Sequence, residues 1–289
     1  MWGGYGQLLR VYLEGSDFPS VVVKIITPPE LDNHPRGWNT ITSNQRKLKS
    51  YQVEKNWYNN YNEIDLNHRF PKCIATKDIG DAQVMLLEDL QLSNLHPQAS
   101  ILKEPQIRAV LDWLASFHAY YLGKEPVGLW DIGTYWHLDT RPDEYERMQN
   151  QSLKLNATKW DDLLNNAQFK TIVHGDAKQA NFCFSEDNGV AAVDFQYVGG
   201  GAGVKDVAYF LCGLGDQYLI ENANGLIRFY FDTLSINLTK REFGFTDSLV
   251  EEWRNLYPIA VADFARFMNG WGSNYREGLY VDSVVESVL

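Results

Sequence analysis

An apolar run, Thr171-Ile-Val, ends in His174-Gly175-Asp176, and Asn181 follows five positions after that aspartate. A second apolar run, Val190-Ala-Ala-Val, ends in Asp194-Phe195-Gln196. If both runs are strands, two carboxylates and one amide meet at adjacent strand ends. Such a set suits phosphoryl transfer: one carboxylate orients an attacking hydroxyl, while an Asp and an Asn offer hard oxygens to Mg²⁺. Positioning and charge neutralisation carry most of that chemistry, so the base needs no strongly raised pKa. Average composition puts a chance His-Gly-Asp-x4-Asn at about one in a thousand chains of this length. The plainer alternative is a strand-end turn in which Asp176 and Asn181 only cap backbone amides.

These residues need elements to hold them. Gln7–Leu13 and Val21–Ile26, rich in Val, Ile and Leu and separated by Glu-Gly-Ser-Asp-Phe-Pro, predict a hairpin or meander. Lys72–Thr76 and Gln83–Leu87 predict two more strands around Lys77-Asp-Ile-Gly-Asp, and Thr27–Gly37 reads as a loop. Ser43–Tyr61 has helical spacing, with Leu48, Tyr51, Val53, Trp57 and Tyr58 as its apolar contacts. Beyond Glu88-Asp89-Leu90 the pattern changes. Pro105 sits where a first helical residue would, and Ile107, Val110, Leu111, Leu114, Phe117 and Tyr121 recur at helical spacing up to Gly123. The region around Tyr209–Leu214 and the stretch Leu249–Met268 also predict helices, the second kinked or divided at Pro258. Thr171–Val173, Phe182–Phe184 and Val190–Val193 predict three compact strands. The expected fold class is α+β, with a small sheet-rich part over 1–89, a larger and mainly helical part over 90–289, and a hinge at Glu88–Leu92.

The motif pair resembles the phosphotransferase superfamily of aminoglycoside phosphotransferases, choline kinases and ecdysteroid-kinase-like proteins, whose two-lobed fold is protein-kinase-like. The ecdysteroid-kinase-like branch is the nearest match. Asp-Phe-Gln, the run Gly199–Gly203 before Lys205-Asp206-Val-Ala-Tyr-Phe, and Asp263-Phe-Ala-Arg-Phe all look like that branch. The resemblance covers most of the chain and is strongest from Ile172 to Leu211. It implies ATP and Mg²⁺ as cofactors, Asp176 as catalytic base, Asn181 and Asp194 as metal ligands, and Lys178 near the transferred phosphate. His174 would brace the loop without being catalytic, and Gly199–Gly203 would be a flexible segment. Asp206 is expected to N-cap a helix starting at Val207, with bracing of the catalytic loop as a second role.

Lys24 lies among β-branched residues in Val21-Val-Val-Lys-Ile-Ile, a position that needs a reason. The resemblance puts it on the nucleotide phosphates, paired with a helix glutamate, for which Glu54 is the candidate. Val84–Leu90 resembles the hinge that meets adenine through its backbone, which assigns Glu88 and Leu90 to the nucleotide. Gly3-Gly-Tyr-Gly6 falls where the phosphate-covering loop should be, giving Gly4 and Gly6 as contacts, but the family's first strand is missing ahead of it. The expectation is therefore an ATP-dependent small-molecule kinase with an alcohol acceptor. The missing strand motivates the alternative, a catalytically silent nucleotide-binding or scaffold pseudokinase on the same fold.

The acceptor stays open between amino alcohols, aminoglycosides and steroid-like alcohols. Asp263, Phe267, Trp271 and Tyr275 recur every three or four residues and would make an acidic, aromatic wall suited to an ammonium group if they faced a cleft. The plainer reading puts the stripe in the core, with Asp263 satisfied by Arg266 or by backbone.

The 289 residues are 45% hydrophobic and 22% charged, which excludes a disordered or collagen-like chain, and the net charge of −11 argues against nucleic acid as a partner. Cys73, Cys183 and Cys212 form no CxxC pair, no signal-peptide pattern opens the chain, and no 18-residue apolar run would span a membrane. A cytoplasmic protein is expected, and nothing in the pattern fixes an oligomeric state. No G-x-x-x-x-G-K-[ST], G-x-S-x-G or H-E-x-x-H occurs, and His118, on an apolar helix, reads as a core histidine.

Overall fold

A computed structural model describes residues 5–27, 41–61, 68–98, 100–272 and 278–289. Most of the Thr27–Gly37 loop, Gly4 and Tyr275 lie outside the described residues. Strand β1 (Gly6–Tyr12) pairs antiparallel with β2 (Ser20–Ile26), in a register running from Gly6↔Ile26 to Tyr12↔Ser20. Helix α1 (Ile41–Asn60) follows, then the hairpin of β3 (Cys73–Ile79) and β4 (Ala82–Glu88). The sheet order β1-β2-β4-β3 makes β2 and β4 the central strands. This suits their Val, Ile and Leu content, since central strands bury both faces more than edge strands do. β1 is an edge strand and keeps Leu8, Leu9, Val11 and Tyr12 exposed.

The second part of the chain is mainly helical. It contains β5 (His96–Pro97), α2 (Glu104–Tyr120), α3 (Pro142–Arg147) and α4 (Gln151–Asn165). Three short strands, β6 (Thr171–Val173), β7 (Phe182–Phe184) and β8 (Val190–Ala192), come where the sequence placed them. They are followed by β9 (Gly199–Gly201), α5 (Val204–Cys212), α6 (Asp216–Lys240), α7 (Thr246–Trp271) and α8 (Leu279–Glu286). The short strands form two small sheets, β5-β7-β8 and β6-β9. Helix α2 packs on α6, and α7 packs on α4 and α5. The architecture is the expected two-lobed α+β plan.

Three local expectations are corrected. The glycine run is not a flexible segment: Gly199–Gly201 is a fully buried strand, in register with β6 from Thr171↔Gly201 to Val173↔Gly199. On its other side Gly200 exchanges backbone hydrogen bonds with Trp130 (3.0 Å) and Gly133 (2.8 Å), an approach too close for side chains. Pro258 does not divide α7, because Tyr257, Ala260 and Val261 are buried and their packing outweighs one lost hydrogen bond. Asp206 does not N-cap a helix starting at Val207; it lies inside α5, whose N-cap is Gly203. Its carboxylate instead accepts the backbone N–H groups of His174 (2.6 Å) and Gly175 (2.9 Å), and it lies 3.0 Å from Nε2 of His118.

One apolar core runs through both parts and includes Phe195 of the Asp-Phe-Gln triplet. Phe195 stacks on Trp57 of α1 at 4.6 Å and lies 4.6 Å from the His174 ring, so the helix of the first part and the loop of the second share a packing centre. Asp206→Ala strips the acceptor from three buried donors, each worth about 1–3 kcal/mol when left unsatisfied. Urea unfolding should show a loss of roughly 3 kcal/mol or more, and Asp206→Asn, which keeps one acceptor oxygen, should lose less.

Candidate active site

β6 delivers His174-Gly175-Asp176 at its end. Gly175 has φ +79° and its Cα faces the Tyr197 carbonyl so closely that any Cβ would overlap it; the loop accepts only glycine there. His174 is buried, and burial holds its pKa below the usual imidazole value despite nearby carboxylates. The neutral ring fits its bonds: Nε2–H donates to the Val193 carbonyl at 3.1 Å, and Nδ1 accepts the Asp176 backbone N–H at 3.3 Å. A second link, Val193 N–H to the Asn181 carbonyl at 2.9 Å, joins the residues leading to Asp194 to the start of β7.

The two carboxylates sit in different electrostatic surroundings. Oδ2 of Asp176 accepts Lys178 Nζ at 2.8 Å and Asn181 Nδ2 at 2.9 Å, and the Asn181 amide also donates to the Asp176 carbonyl at 2.7 Å. Oδ1 of Asp176 is buried and accepts no hydrogen bond within 3.5 Å among the described residues, with the Tyr209 phenol close beside the carboxylate. Burial raises the Asp176 pKa; Lys178 opposes the rise and Asp194 adds to it. At Asp194 burial also pushes upward, but Lys24, Lys178 and Lys47 outweigh it and hold the carboxyl below its usual range. Asp194 has φ +67°, a left-handed conformation that Asp tolerates better than most residues, and its Oδ1 accepts Gln196 Nε2 at 2.6 Å. The neighbours therefore drive the two groups apart, leaving Asp194 the firmly ionised one and Asp176 the more basic.

The expected Lys24–Glu54 pair is present. Lys24 of β2 and Glu54 of α1 are both buried, with Nζ 2.8 and 2.5 Å from the two carboxylate oxygens and 3.4 Å from Asp194 Oδ1. Burial opposes the ammonium, yet Glu54 and Asp194 hold its pKa above the usual lysine value; burial dominates at Glu54 and raises it. At the hinge, the Glu88 side chain is committed to Arg69 and to the Lys72 amide, and its backbone N–H donates to the Lys72 carbonyl at 2.8 Å. Leu90 opens a 3₁₀ turn, Leu90–Ser93, where first-turn N–H groups have no partner within the turn. Asp89 fixes this corner by accepting Arg10 Nε (2.6 Å), Ser20 Oγ (2.8 Å) and the Gln91 N–H (3.1 Å).

A cleft of about 1210 Å³ runs between the two parts. Lys24, Glu54, Glu88, Leu90, Asp176, Lys178, Asn181 and Asp194 all line it. Gly6 does not; its glycine is needed because a Cβ would overlap the Ile25 carbonyl across the hairpin. Of the late aromatic stripe, Phe267 and Trp271 line the cleft, whereas Asp263 is buried on Arg266 Nε (2.8 Å) and Trp136 Nε1 (3.0 Å). Sequence reading missed Tyr135, Arg141 and Tyr209 on the wall. Tyr135 and Arg141 belong to irregular chain between α2 and α3 with no periodicity to mark them. Tyr209 fell inside a predicted helix; burial and then the Asp176 charge push its phenol pKa far up, which places it beside that carboxylate.

The sequence model of the ecdysteroid kinase-like family matches residues 134–243, a span that includes His174–Asn181, Asp194–Gln196 and Asp206. A search of curated proteins gives no match. Among solved structures, an ethanolamine kinase of Plasmodium vivax aligns with TM-score 0.51 at 11% identity, over 97% of this chain and 78% of its own. A microcompartment-associated aminopropanol kinase aligns with TM-score 0.49 at 13% identity over 97% and 88%. A choline kinase of Streptococcus pneumoniae aligns with TM-score 0.44 at 11% identity over 97% and 92%. The resemblance read from the sequence and the protein-kinase-like fold are both borne out. No described helix is long and apolar enough to cross a membrane.

Removing one member of the buried pair gives a signed test. Lys24→Met leaves Glu54 buried beside Asp194, a loss of about 3–5 kcal/mol. The folded variant then holds its Glu54 proton to higher pH than the unfolded chain does, so stability falls as pH rises. Relative to wild type, the loss should be larger at about pH 8 than at about pH 5 in urea titrations. An equal loss at both would exclude a buried, protonating Glu54.

Proposed function

We propose that the chain is a small-molecule kinase that uses ATP and Mg²⁺ to phosphorylate a hydroxyl group. The observation that carries this reading is the asymmetry of Asp176: Lys178 and Asn181 fix one carboxylate oxygen, while the other is unpartnered in a group that lines the cleft. A residue that merely capped a turn would accept a backbone N–H, and among the described residues neither Asp176 carboxylate oxygen does. The family match and the kinase-like neighbour support the same reaction class.

Asn181 and Asp194 would hold Mg²⁺. The donor set fits, being one carboxylate and one amide oxygen on strand ends joined by the Val193 N–H to Asn181 carbonyl bond. Mg²⁺ is commonly held by one or two protein oxygens, with phosphate and water completing its shell. Bound there, it would offset negative charge on the phosphate oxygens.

Each remaining role falls to a group in place. Glu54 holds Lys24 extended toward the phosphates, and at the hinge the Leu90 N–H would meet the base, the Leu90 carbonyl being taken by the Leu95 N–H at 3.1 Å. Lys178 lies beside Asp176, where its cation would balance charge on the transferred group. Oδ1 of Asp176 would take the proton of the acceptor hydroxyl as its oxygen bonds to the γ-phosphorus. The bond from that phosphorus to the β-phosphate bridge breaks, and ADP leaves.

Calorimetric titration with Mg·ATP should show metal-dependent binding that Asp194→Ala weakens by about tenfold or more. No binding up to millimolar nucleotide would favour a silent scaffold instead. Asp176→Asn should lower kcat by about 10²–10⁴-fold with Mg·ATP affinity within about threefold; full activity in that variant would refute the mechanism. Asp176 must be ionised to work, so activity falls as pH drops through its raised pKa. Lys178 lowers that pKa, so Lys178→Ala should move the acid limb of kcat/KM to higher pH.

A further inference from the structure

The wall beyond Asp176 carries two cations, Arg46 and Arg141, against one acid off the wall, Glu144, which lies 3.4 Å from Arg141. Arg141 is 1% exposed yet lines the cleft. Its Nε donates to the Tyr135 carbonyl at 2.7 Å, Nη1 lies 3.4 Å from Glu144 Oε1, and Nη2 has no partner among the described residues. The guanidinium lies 4.0 Å from the Tyr135 ring centre, 5.3 Å from that of Phe267 and 5.4 Å from that of Trp271. Arg46 of α1 lines the same cleft and donates to the Thr140 carbonyl at 2.6 Å, one residue before Arg141. Burial, and after it the Arg141 charge, holds Arg46 below its usual pKa, so the two cations repel each other across this wall.

Apart from Oδ1 of Asp176, the carboxylates on the cleft are already committed. Glu54 is held by Lys24, Asp89 by Arg10 and Glu88 by Arg69, and Asp176 and Asp194 form the strand-end site. Glu144 lies off the cleft wall, and Asp263 faces Arg266. An ammonium group entering among Phe264, Phe267 and Trp271 would therefore meet the Arg141 guanidinium, while the unpartnered Asp176 oxygen on the cleft is the one the acceptor hydroxyl needs. A carboxylate would do the reverse: it would supply the bond Nη2 lacks and relieve the repulsion between Arg46 and Arg141.

We propose that the acceptor is an apolar alcohol that also bears a carboxylate. Arg141 holds the acid, Arg46 adds attraction, the apolar body rests on Phe264, Phe267 and Trp271, and the hydroxyl reaches Asp176. The fate of that hydroxyl rests on the kinase reading above; the binding preference does not.

The test is calorimetry on the nucleotide-free chain with two matched sets: cholate, methyl cholate and the 24-amine of the same skeleton; and indole-3-lactate, tryptophol and tryptophanol. On at least one skeleton the acid should bind about tenfold more tightly than both its neutral and its cationic counterparts. Arg141→Met should abolish that preference and Arg46→Gln should reduce it by about threefold. The proposal is overturned if neutral or amine compounds bind as well as the acids, if neither acid binds, or if a folded Arg141→Met keeps the preference. Should Arg141→Met fail to fold, an undiminished preference in Arg46→Gln overturns it. No ATP is present, so this result can fail while Mg·ATP titration succeeds, and the reverse.

Discussion

Asp206 accepts two successive backbone amides of the His174–Asp176 loop and lies against His118, all in a region closed to water. Because a buried carboxylate is tolerated only when its oxygens are bonded, this contact fixes the loop and α5 relative to each other. His118 in turn lies 2.8 Å from the Tyr230 hydroxyl, so the same chain of bonds reaches α2 and α6. The direction of Asp176 is thus set through α5 by α2 and α6, whose described residues do not line the cleft. Gly175 completes the constraint, since the loop runs so close to Tyr197 that no side chain fits between them.

A second layer of order comes from charge. Lys24, Lys47 and Lys178 face Asp194, while Asp176 has Lys178 as its one near cation and Asp194 as a like-charged neighbour. The Gln196 amide links the two ends of this set, donating to Asp194 and accepting Lys47 at 3.0 Å. The site thereby contains one carboxylate suited to stay ionised and one suited to accept a proton. Side-chain type alone does not separate them; the placement of three lysines does.

The cleft also has two unlike ends. Apolar strand residues and hinge backbone suit a flat base at one end. At the other, aromatic rings surround a guanidinium with a hydrogen bond unmade. A cationic acceptor and an anionic one would need opposite walls. The wall seen here comes from Arg46 on α1 and Arg141 ahead of α3, far apart in the chain and brought together by the Arg46 bond to the Thr140 carbonyl.

The sequence by itself determined the strands of the first part, the three short strands 171–173, 182–184 and 190–193, and the residues Lys24, Asp176, Asn181 and Asp194. It could do so because strand alternation, turn chemistry and the His-Gly-Asp-x4-Asn spacing are local patterns. Glu54 was legible only once a partner for Lys24 was sought on the following helix. Tertiary structure decided the rest. The glycine run reads as mobile until its neighbours are known, because glycine permits both a loose loop and a strand squeezed between two backbones. Asp206 looks like a cap until its amide partners, some thirty residues earlier, are seen. Asp263 and Trp271 share one helix, yet one faces Arg266 in the core and the other the cleft, because helix rotation is fixed by packing against α3, α4 and α5. Arg141 carries no local signal at all. Its place on the wall depends on a buried guanidinium finding rings and carbonyls from distant segments, which only the folded chain brings together.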